Sequence, residues 1–130
     1  MQVTIQDQMI GGPITHEMVI DFLTEEITLR ELIKSRVYQE VKDANTANNA
    51  IPIAIVQFTE TEQELNNPKP RKKQKTIDFQ EQYDKAIKAF EMGRYFVLVD
   101  DFQPAELDDK ITLKPDTTVN FIRLVYLAGG

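Results

Sequence analysis

Apolar and polar residues alternate with period two from the first position, Met1-Gln2-Val3-Thr4-Ile5-Gln6, which predicts a strand opening the sequence. Gly11-Gly12-Pro13 predicts a turn. Met18, Ile20 and Phe22 then fall on one face of a second strand over residues 16–23, so the two read as a hairpin with a loose loop. The period changes at Thr28-Leu29-Arg30-Glu31, which has the form of a capping box: the Thr28 hydroxyl can accept from the Glu31 backbone N–H while the Glu31 carboxylate reaches back. Leu29, Leu32, Ile33, Val37 and Val41 follow at three- and four-residue spacing, which predicts a helix from Thr28 to about Ala44 with that stripe in the core; residues 45–49 end it.

Further on, Ile51-Pro52-Ile53-Ala54-Ile55-Val56 predicts a short extended segment that Pro52 keeps off a central strand. A second helix is predicted near Asp78 to Met92, with Glu81 at the capping position, Phe79, Tyr83, Ile87 and Phe90 as its buried stripe, and Gly93 just past its end. Tyr95-Phe96-Val97-Leu98-Val99 is continuously apolar, the mark of a buried and central strand. Asp100-Asp101 predicts a turn, Ile111-Thr112-Leu113 a short strand, residues 114–117 another turn, and residues 119–127 a last long strand. That strand runs into Ala128-Gly129-Gly130. Two glycines without Cβ atoms make a tail able to thread a narrow channel, so its carboxylate can serve as a chemical handle. A frayed end or cloning scar is the bland alternative, but a strand that delivers the glycines favours the handle over a polar linker.

Composition narrows the chemistry. At 130 residues the chain has the length of one domain with its own core. It contains no cysteine, which excludes disulfides, thiolate metal sites and a cysteine nucleophile, and fits a reducing cytoplasm. Its apolar runs are strand-sized, so neither a membrane span nor a signal peptide is expected. With 21 acidic against 15 basic residues, the net charge of −6 argues against general nucleic-acid binding and favours a basic partner surface. Five positive charges crowd into residues 69–75 between prolines and a second helix, predicting a solvated loop; no aromatic interleaves them as a single-strand binder requires. The single His16 reads as a strand-entry residue, and without a second histidine no Ser/His/Asp set or metal-type pair can be assembled, which argues against an enzyme. Asp100, Asp101, Asp108 and Asp109 match no calcium-loop spacing, so no metal is expected.

Hairpin, long helix, buried strand, short strand and final strand form the order of an α+β, β-grasp fold, and the resemblance extends to residues. Arg94-Tyr95-Phe96-Val97-Leu98-Val99-Asp100-Asp101-Phe102-Gln103, then Leu107-Asp108-Asp109-Lys110-Ile111-Thr112-Leu113 and Asp116-Thr117-Thr118-Val119-Asn120-Phe121, resembles the run from the third strand to the tail in the ubiquitin family. The opening Met1-Gln2-Val3 is similar too, and the sulfur carriers of thiamin and molybdopterin biosynthesis share the Gly-Gly ending. The match covers residues 1–48 and 94–130; an insertion with a helix and the basic loop, about residues 50–92, separates its halves, and Tyr126 stands where ubiquitin carries an arginine that selects the activating enzyme. The whole looks most like bacterial ubiquitin-like modifiers.

The resemblance implies one ubiquitin-like domain, residues 1–126, followed by a flexible tail, residues 127–130. It implies that the Gly130 carboxylate, next to Gly129, is adenylated by a separate activating enzyme using ATP, and passed through a thioester to a target amine. Tyr126, Leu127 and Ala128 would be the recognised stem. Exposed apolar residues beside the last strand, Ile122 or Leu124 with Leu98, and the Asp100-Asp101 pair would meet partners. A conjugating enzyme, a deconjugating peptidase and target proteins are the further partners expected. A sulfur carrier with a C-terminal thiocarboxylate, or a β-grasp interaction module that is never conjugated, are the alternatives. No cofactor is implied for the chain itself.

Overall fold

The computed structural model describes residues 1–47 and 76–124. The extended segment expected at residues 51–56, the basic run at residues 69–75 and the tail residues Tyr126, Leu127, Ala128, Gly129 and Gly130 lie outside them.

Among the described residues the chain is α+β, with a mixed four-stranded sheet, a two-stranded ladder and two helices. The strands are β1 (Gln2–Met9), β2 (Ile14–Asp21), β3 (Glu26–Thr28), β4 (Tyr95–Val99), β5 (Lys110–Thr112) and β6 (Thr118–Arg123); the helices are α1 (Leu29–Ala47) and α2 (Phe79–Glu91). The sheet order is β2-β1-β6-β4, while β3 pairs antiparallel with β5. The first and last strands lie side by side and parallel, with Ile5 opposite Val119 and Asp7 opposite Phe121, and both flanking strands run antiparallel to them.

Local chemistry explains the element ends. The Glu31 N–H donates to Thr28 Oγ1 at 3.1 Å, as the capping box requires, but the returning Glu31 carboxylate accepts from the Thr28 hydroxyl at 3.2 Å. At α2 the Asp78 carboxylate accepts from the Glu81 N–H at 2.9 Å, and Gly93 past the far end takes φ +72°, the left-handed geometry glycine allows at low cost. Asn45 closes the chain across the residues that lie outside the description: its side-chain amide donates to the Ile77 carbonyl at 3.2 Å and accepts from the Ile77 N–H at 2.8 Å.

The α1 stripe packs as its period predicts, Leu29, Leu32, Ile33 and Val37 being wholly buried with Val41 close behind. Each such side chain contributes about 1.5–3 kcal/mol by leaving water. They meet Val3 and Ile5 of β1, Val97 and Val99 of β4, and Val119 and Phe121 of β6.

Three expectations need correction. Among the described residues the strand at residues 95–99 lies at the sheet edge rather than its centre, and β1 and β6 are central. Its continuous apolar sequence reflects a buried inner face, Tyr95, Val97 and Val99, and a half-buried outer face, Phe96 and Leu98. On α2 the residues wholly inside are Ala86 and Ala89, and Phe79, Tyr83, Ile87 and Phe90 pack half-buried beside them, because close approach of the helix to the core leaves room only for small side chains beneath its axis. Of the residues expected to extend the last strand to Leu127, Leu124 lies past the end of β6 at Arg123, and residues 125–127 lie outside the described residues.

Tyr95 joins α2 to the core: its hydroxyl donates to the Ala86 carbonyl at 2.8 Å and its ring meets Phe90 and Phe121. Burial pushes its phenol well above the ordinary tyrosine range, against a smaller opposite pull from Arg36. Since the folded-state value lies above the unfolded value of about 10, the stability this group contributes is whole below about pH 10 and is lost as pH rises toward the folded value. Alkaline urea titrations are therefore expected to show a loss of stability beginning near pH 10 that Tyr95→Phe reduces, at a neutral-pH cost of about 0.5–1.5 kcal/mol for the lost hydrogen bond.

Candidate functional site

The candidate site is the end of the sheet where β6 leaves it. The Leu124 N–H donates to the Arg94 carbonyl at 3.1 Å and the Ile10 N–H donates to the Arg123 carbonyl at 3.0 Å, so Arg123 and Leu124 lie between the start of β4 and the β1–β2 hairpin tip. That tip is apolar and exposed: Met9, Ile10 and Ile14 present 38%, 54% and 52% of their surface to solvent around Gly11-Gly12-Pro13. Gly11 takes φ +70°, which lets the hairpin reverse so sharply, and the Gly12 N–H closes the turn on the Met9 carbonyl at 2.8 Å. An exposed apolar knuckle of this kind beside the end of β6 marks a candidate interaction surface.

The residues expected as a partner surface divide between two places. Leu98 and Ile122 share the outer face of the sheet, where Phe96 stands opposite Ile122 and Leu98 opposite Asn120. Ile122 is only 6% exposed, contrary to the expectation of an exposed residue, because it lies on a central strand between Gln8 and Phe96. Leu98 and Leu124 are half-buried. Asp100 and Asp101 sit at the opposite end of β6, about 20 Å away at the usual rise per strand residue. Asp100 there has φ +52°, an uncommon conformation for a residue with a Cβ, and its carboxylate accepts from the Thr118 N–H at 3.1 Å. The Asp100 side chain thus pins the turn to the start of β6, whereas Asp101 is exposed. Asp109 accepts from the Ala105 and Glu106 N–H groups, and Asp108 pairs with Arg30 at 3.4 Å. These bonds give three of the four aspartates structural partners, and among the described residues no His/Asp/Glu group has the arrangement of a metal site. His16 is exposed on β2, in register with Asp7.

Sequence reasoning missed a buried ionic cluster behind this end of the sheet. Arg36 of α1, with none of its surface exposed, forks both terminal nitrogens onto the two Asp7 carboxylate oxygens and places Nε 2.9 Å from Glu40 Oε1. Its guanidinium carbon lies 4.5 Å from the centre of the Phe121 ring. Burial works against the charge, but the Asp7 hydrogen bonds and the Glu40 carboxylate outweigh it and hold the guanidinium protonated more firmly than in water. The cluster ties β1, α1 and β6 together just behind the strand that carries the tail.

No family model, curated protein or solved structure matches the chain. Among the described residues no helix is long and apolar enough to cross a membrane.

Proposed function

We propose that this chain is a β-grasp, ubiquitin-like protein modifier that works in the cytoplasm with its carboxylate at Gly130 as the reacting group. The observation that carries the reading is the pairing of the first and last strands. A parallel β1–β6 centre, entered by a β1–β2 hairpin and followed by α1, is compatible with a β-grasp, and the end of β6 lies beside Met9 and Ile10, seven residues before Gly130.

A carboxylate is a poor electrophile, so a partner enzyme must activate it. The Gly130 oxygen attacks the α-phosphorus of ATP and expels pyrophosphate. An enzyme thiolate then displaces AMP to give a thioester, and a target lysine amine displaces the thiol to give an isopeptide bond. The chain contributes no catalytic group. Gly129 and Gly130 contribute a backbone slim enough for a closed channel, and Tyr126, Leu127 and Ala128 the stem that a partner grips. The same reading holds where Gly130 is encoded last and where a peptidase exposes it.

Adding one serine after Gly130 tests this. Transfer to a target amine is expected to vanish while the thermal midpoint stays unchanged, since the core residues of β6, Val119 and Phe121, precede the tail in sequence. A thiocarboxylate mass on the unmodified chain would instead mark a sulfur carrier, and partner binding that survives the added serine with no covalent product at any stage would leave an interaction module.

A further inference from the structure

A groove of about 590 Å³ runs along the side of the molecule, bounded by the C-terminal end of α2, the start of β4 and residues 103–108. Its volume falls within the roughly 300–1,000 Å³ typical of binding sites. Half-buried Phe90, Phe96 and Leu107 supply apolar surface, and exposed Glu91, Glu106 and Asp108 supply carboxylates. Among the described residues Arg30 is the cation of the lining, and Asp108 pairs with it at 3.4 Å, which leaves Glu91 and Glu106 as the surplus negative charge there.

Glu91 is the last residue of α2, where the partial negative charge of the helix end disfavours an acid. Its placement opposes helix stability and supplies the groove with charge. The Glu106 carboxylate likewise has no part in the turn it belongs to, which is held by the Asp109 side chain and by backbone groups.

We propose that this groove is a docking site for a lysine- and arginine-bearing peptide segment of a partner protein. The chemistry fits that occupant closely. Lysine stems are aliphatic and lie along apolar surface while their ammonium groups reach charged groups, so a mainly polar lining in which half-buried Phe90, Phe96 and Leu107 stand beside the exposed Glu91 and Glu106 carboxylates suits them. The net charge of −6 steers such a segment toward the body of the protein. The site does not depend on the use of Gly130: its walls come from α2, the start of β4 and the loop at residues 103–108.

The test uses the full chain, isotope-labelled, titrated with the blocked peptide Lys-Leu-Lys-Arg-Lys and followed by amide chemical shifts. Saturable shifts are expected at Phe90, Glu91, Phe96 and residues 105–107, weakening as salt rises. Glu91→Gln with Glu106→Gln is expected to weaken binding by about three- to tenfold, two exposed charges being lost. Glu91→Gln alone should leave the thermal midpoint unchanged or slightly higher, which separates lost binding from lost folding. Equal binding of the peptide Glu-Leu-Glu-Glu-Glu, or shifts centred elsewhere, would overturn the proposal. So would binding that emerges only after the five basic residues at 69–75 are replaced by serine, because the chain's own basic run would then be the occupant.

Discussion

Replacing Asp7 with alanine is expected to destabilise the domain by about 3–5 kcal/mol, read as a fall in the urea midpoint at unchanged slope. The reason is the charge left behind. Arg36 lies wholly inside the protein and directs two of its nitrogens at Asp7, which is itself 2% exposed on the inner face of β1. Without that carboxylate the guanidinium keeps Glu40 at 2.9 Å and the Phe121 ring, but two of its donors lose their partner in a place water does not reach. Glu40 still balances the charge, which places the expected loss toward the lower half of the range. Replacing the whole cluster by apolar residues of similar size, Asp7→Val with Arg36→Met and Glu40→Leu, is expected to be neutral or stabilising by about 1–4 kcal/mol, because the desolvation cost disappears with the charges. A loss below about 1 kcal/mol for Asp7→Ala would mean that water reaches the cluster and that the charges are not truly buried.

These residues also show where sequence reasoning stops. The α1 stripe was legible because Leu29, Leu32, Ile33, Val37 and Val41 obey the helical period and nothing competes with them. Arg36 and Glu40 fall on the same face, and Asp7 continues the inward alternation of Val3 and Ile5, so the positions of all three were written in the pattern. A polar residue on an apolar stripe reads as an interruption until its partner on another element is known, and a pairing between residues 7 and 36 is not a local property. The same limit explains β4. A continuously apolar strand announces that both faces have cover, but its edge position follows from pairing with residues 118–123, far along the chain. On α2 the conspicuous aromatics drew attention from Ala86 and Ala89, which the close approach of the helix buries more completely.

At the candidate site, the existence of the last strand and the turn at Gly11-Gly12-Pro13 were legible. The exposed knuckle of Met9, Ile10 and Ile14 was not, since its residues join the site only when β6 pairs parallel with β1. The pairing of Asp108 with Arg30, and the groove beside it, likewise unite segments that are remote in sequence.

Removal of Gly129 and Gly130 is expected to have the largest effect on activity. On the proposed modifier reading, activation brings the Gly130 carboxylate into line with the α-phosphorus of ATP, and a reacting group displaced by two residues is several ångströms from any productive position, when a displacement of about 1 Å already costs on the order of a hundredfold. The fold should not respond, because β6 ends at Arg123 and the core residues Val119 and Phe121 lie before that point. The most direct measurement is ATP–pyrophosphate exchange by the cognate adenylating enzyme, with the full chain and the shortened one compared at equal concentration. The modifier reading predicts exchange that depends on the full chain and falls to background with the shortened one, while both give the same urea midpoint; exchange that persists after the two glycines are gone would contradict it.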